Sequence, residues 1–66
     1  MTAPAIPKIM TTADLETVFD AIADSVDRVG EEKQLLFLAK LSFTLANVVG
    51  DADRVRAAIA ACMADL

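Results

Sequence analysis

Apolar residues recur along the first third of the chain in a helical rhythm. Leu15, Val18, Phe19, Ile22, Val26 and Val29 keep the spacing of a single helix stripe, with polar residues between them. Thr11 followed by Asp14 fits a capping pattern at the start of that stripe, and Asp14 and Glu16 suit the positive end of a helix dipole. Gly30 closes the stripe with a residue that adopts positive φ at little cost. The spacing predicts a first helix over 12–29.

The second segment is patterned differently. It opens on Glu31 and Glu32 and ends before Gly50, which predicts a helix over 31–49. Projected at about 100° per residue, Lys33, Lys40, Thr44 and Asn47 share a strip only about 60° wide. Leucine, phenylalanine, valine and alanine fill most of the rest, interrupted by Gln34 and Ser42. A surface helix needs an apolar face of somewhat over ~100°, whereas this one is apolar over roughly 260°. Such a helix must be covered from several sides.

A third helix is predicted over 52–65, capped by Asp51 or Asp53, with Val55, Ala58, Ile59, Cys62, Met63 and Leu66 on one stripe. Pro4 and Pro7 break helical hydrogen bonding in residues 1–10, which read as an extended N-terminal arm. Of that arm, Ile6, Ile9 and Met10 are candidates to pack on the body. No strand-like alternation occurs. The fold class expected is all-α: a three-helix antiparallel bundle forming a single helical domain over 11–66.

Size sharpens the covering problem. A chain of 66 residues has room for one small core, and domains this short often need a disulfide, a metal or a partner subunit. One cysteine closes no intrachain disulfide, and without histidine or a CxxC pair there is no zinc motif. Association is what remains. In the middle helix Ala39, Ser42 and Ala46 form a narrow seam of small residues. Leu36 with Phe43 stands on one flank, and Phe37 with Leu41 and Val48 on the other. Burial of one large side chain is worth about 1.5–3 kcal/mol, so leaving several wet would forfeit much of the fold's stability. Leu36, Phe37, Leu41, Phe43 and Val48 are therefore the candidate interface, with dimerisation through the second helix expected, or docking of that helix on a larger protein.

Charge and chemistry narrow the function classes. The net charge of −4, with six Lys and Arg scattered along the chain, provides no basic stripe for nucleic acid and no attraction to an anionic membrane. Leu35 to Val49 is shorter than the ~20 residues of a membrane span and carries Lys40 at its middle. The N-terminal residues lack the basic start and apolar run of a signal peptide, so a cytoplasmic location is expected. Glu16, Asp20, Asp24 and Asp27 line one strip of the first helix, read as a solvated face rather than a metal site. Cys62 lies within an apolar stripe, which favours a core position over a redox role. Ser25, Ser42 and the threonines have no histidine base, and Gly30 and Gly50 belong to no phosphate-binding motif. No catalytic, cofactor-binding or metal residue is assigned, and an enzyme is not expected.

The stretch from Phe37 to Asp51 resembles the signature of a small bacterial family, domain of unknown function 2783. Its members are similar in length and carry a Leu-rich helix ending in Leu-Ala-Asn-x-(Ile/Val)-Gly-Asp, here Leu45 to Asp51, followed by a short Ala-rich helix, here Arg54 to Leu66. The resemblance covers residues 14–66. It departs at Val48, where members often have histidine, and so carries no metal or base role to that position. Genes of the family often lie near flavin-dependent aromatic hydroxylases, so the resemblance implies an accessory role beside an enzyme of aromatic catabolism. The function expected is a non-catalytic helical interaction module, self-associating and accessory to a larger enzyme. The alternative is a binder of a small apolar ligand in the bundle or at its dimer seam, with Ser42, Gln34 or Cys62 as polar contacts.

Overall fold

A computed structural model describes residues 9–66. The expected arm falls mostly outside the described residues, which include only Ile9 and Met10 of it, both exposed. Helix α1 spans Thr12–Val29, α2 spans Gln34–Val49 and α3 spans Ala52–Ala64, with a 3-10 turn over Glu31–Lys33 ahead of α2. No strand occurs among the described residues, so the chain is all-α.

The ends of the helices follow from local chemistry. The Thr11 hydroxyl accepts a hydrogen bond from the Asp14 N–H at 3.1 Å, satisfying one of the donors that the first turn of α1 leaves free. Gly50 sits in the left-handed region, at φ 71° and ψ 15°, and donates its N–H to the Ala46 carbonyl. Asp51 then caps α3: one carboxylate oxygen accepts from the N–H groups of Asp53 and Arg54, at 3.0 and 3.3 Å. Gly30 has φ 80° and ψ 156°, a conformation only glycine adopts without strain, and it turns the chain out of α1.

Between α1 and α2 the structure departs from the predicted continuous helix over 31–49. Glu31–Lys33 form a tighter turn in which the Lys33 N–H bonds the Gly30 carbonyl at 3.0 Å, and Lys33 itself has φ −111° and ψ 0°, outside the helical region. Glu31 and Glu32 consequently precede α2 instead of occupying its first turn. Gln34 fastens this corner. Its Nε2 donates to the Val26 carbonyl at 3.2 Å, a carbonyl in the last turn of α1 that the helix cannot pair itself.

α1 packs on α2 and on the 3-10 turn, and α3 packs on α2, but α1 and α3 make no contact among the described residues. The half-buried residues of α1 are Ile22, Ser25, Val26 and Val29, all in its second half. Leu15, Val18 and Phe19 lie on the same stripe one to two turns earlier and are exposed, Phe19 by 72%. The stripe is continuous, but its cover stops halfway: α1 draws away from α2 as it runs back from the corner.

No described residue is fully buried. The accessible surface is 6015 Å², whereas a folded monomer of 7.0 kDa exposes about 4,000 Å². The radius of gyration is 13.1 Å, against about 11 Å for a compact domain of this length. Cys62, expected in a core, is exposed instead, as are Ile59, Met63 and Leu66. Among the described helices α3 packs only on α2, which leaves the outer part of its stripe exposed.

Candidate functional site

The second helix presents its sectors unequally. Phe37 and Leu41 are half-buried and share a flank with Gln34, the residue tied to α1. Ala39 and Ala46, in the small-residue seam, are also half-buried, while Ser42 between them is exposed. Leu36 and Phe43, two turns apart on the opposite flank, are 55% and 78% exposed. Val48 is 77% exposed although it lies on the flank of Phe37 and Leu41. The five candidate interface residues thus fall into two groups. Phe37 and Leu41 serve partly within the chain, and Leu36, Phe43 and Val48 face outward.

Around the outward group lie Lys40 and Asn47, both exposed. Lys40 has no acidic partner among the described residues. The ion pairs there are Arg28 with Asp24 at 3.8 Å and Arg54 with Asp51 at 3.7 Å, both at the surface. Solvent-exposed pairs of this kind contribute about 0–1 kcal/mol, so neither holds the fold.

A second feature lies between α2 and α3. The helices diverge from the Gly50 corner and leave an open cleft of about 760 Å³, walled by Leu45 and Val49 on one side and Ile59 and Met63 on the other. Ser42, Arg54 and Cys62 bring polar atoms to its lining, and Ile9 stands at its edge. The Ser42 hydroxyl is already engaged, donating to the Leu38 carbonyl at 2.7 Å. Of the polar contacts named from the sequence, Ser42 and Cys62 reach this cleft and Gln34 does not. Arg54 was not foreseen there. Its sequence signal, a cation just after the Asp51 cap, reads only as a helix-terminus residue.

Comparison with family models, with curated proteins and with solved structures gives no match. The functional reading therefore rests on the chain's own surface.

The acidic strip of α1, with Glu16, Asp20, Asp24 and Asp27, lies on exposed helix surface. Among the described residues, no group of three or more His, Cys, Asp or Glu side chains is placed to hold a metal ion. No helix among them is long and apolar enough to cross a membrane.

Proposed function

We propose that the chain is a non-catalytic helical interaction module that self-associates through α2, and that its bundle closes only when a second copy covers the outward flank. The observation that carries this reading is the exposure of Leu36, Phe43 and Val48 in a chain with no buried residue among those described. Hiding these apolar residues supplies the core that α1 and α3, each packed only on α2 among the described helices, do not make.

The resemblance of Leu45 to Asp51 to domain of unknown function 2783 extends the proposal to an accessory role beside a larger enzyme of aromatic catabolism, in the cytoplasm. Light scattering after gel filtration tests the self-association. A dimer mass at tens of micromolar is expected, and a compact, stable monomer at that concentration overturns the reading.

The cleft between α2 and α3 favours a second reading, a binder of a small apolar ligand. Its volume of about 760 Å³ and largely apolar walls suit a drug-sized molecule. Thermal shift with aromatic and fatty acids separates the two: stabilisation that depends on the ligand and not on protein concentration supports the binder.

A further inference from the structure

Two exposed surfaces of the chain are both apolar and are bordered by charges of opposite sign. On α1, Leu15, Val18 and Phe19 continue the packed stripe and stay exposed, by 48%, 40% and 72%, and Glu16 and Asp20 border Phe19. On α2, Leu36 and Phe43 form an uncovered ridge with Lys40 beside it. At about 100° per residue, the carboxylates lie about 60–100° round α1 from Phe19, and Lys40 lies about 40–60° round α2 from the ridge, in the same rotational sense. Charges on the same flank of two facing helices meet when the helices run antiparallel.

We infer that in the dimer α1 of each copy lies antiparallel across α2 of the other, seating Leu15, Val18 and Phe19 on Leu36 and Phe43 and bringing Glu16 and Asp20 to Lys40. This inference rests on the proposed self-association and names its partner surface. Pairing of α2 with its own copy is the competing arrangement. It sets the Lys40 side chains on a shared seam and leaves the α1 stripe exposed, so it covers fewer of the exposed apolar residues. The crossed arrangement occurs twice in a two-fold dimer and covers both the α1 stripe and the α2 ridge. It also turns unpaired charges of a chain with net charge −4 into attraction between copies.

Charge reversal in the full chain tests this, read by sedimentation at low salt with circular dichroism to confirm helix content. Both sites are exposed on helix surfaces, so the variants retain the fold of the chain. Lys40→Glu alone, and Glu16→Lys with Asp20→Lys alone, should each weaken self-association at least ~10-fold, because each opposes like charges at two symmetric contacts. Mixing the two variant chains should restore a tight heterodimer, since both of its contacts then pair opposite charges. The three changes in one chain should restore the homodimer. Dimerisation that tightens in Lys40→Glu, or is indifferent to the α1 reversal, overturns the crossed arrangement while leaving self-association standing. A wild-type monomer overturns both.

Discussion

Replacing Phe43 by alanine separates association from folding more sharply than any other single change in the chain. The ring is 78% exposed in the lone chain, so its removal takes little from the monomer and slightly raises helix propensity. In the proposed dimer the ring is covered on each protomer. Burial of a phenylalanine is worth about 1.5–3 kcal/mol, so loss of both copies costs about 3–6 kcal/mol per dimer. That corresponds to a rise of about 100- to 10,000-fold in the dimer Kd. Sedimentation equilibrium over a wide concentration range measures it. The melting temperature should also fall most at high protein concentration, where the wild-type chain gains most from association. Phe37→Ala is the contrast: that ring is half-buried on the α1 side, so its loss should lower stability at every concentration. A Kd shift below about 3-fold for Phe43→Ala, when burial predicts at least 100-fold, would refute the assignment of this flank to the interface.

Three further outcomes follow from the corners of the fold. Gln34→Ala removes the bond to the Val26 carbonyl, and chemical denaturation should register about 0.5–1.5 kcal/mol of lost stability. Gly50→Ala should cost about 1–2 kcal/mol, since φ is 71° and an L side chain is strained there. The position has room for the methyl group, with the nearest atom, the Asn47 carbonyl oxygen, at 3.9 Å from an added Cβ, so the cost is one of backbone conformation and not of a clash. Asp51→Ala strips the cap from α3 and should cost about 1 kcal/mol, seen as faster hydrogen exchange at Asp53 and Arg54 with α1 unaffected.

Local chemistry was legible in the sequence because it acts over three or four residues. Thr11, Gly30, Gly50 and Asp51 mark the helix ends, and each lies at or beside the boundary expected for it. The all-α class follows from the same short-range periodicity. The corner at Glu31–Lys33 was missed because two glutamates before a leucine run look the same whether they open an α-helix or precede it. Gln34 read as an interruption of an apolar face, because its partner, Val26, lies eight positions back and no pattern of that spacing signals a bond. The splay of α1 was equally hidden. Leu15, Val18 and Phe19 are as apolar as Ile22, Val26 and Val29, and only the direction in which α1 leaves the corner decides which half finds a neighbour. Cys62 shows the limit of stripe arguments: an apolar face states a demand for cover, not that the chain itself meets it.

The lack of any fully sheltered residue among those described bears on how long a molecule survives in a cell. Proteases act on the open form of a protein, and the population of that form falls as pairing removes it from the pool. Under the proposed self-association, a newly made copy that finds no mate is therefore degraded sooner than one that does. On that reading scarce product is cleared while plentiful product persists, and lifetime climbs with the amount synthesised.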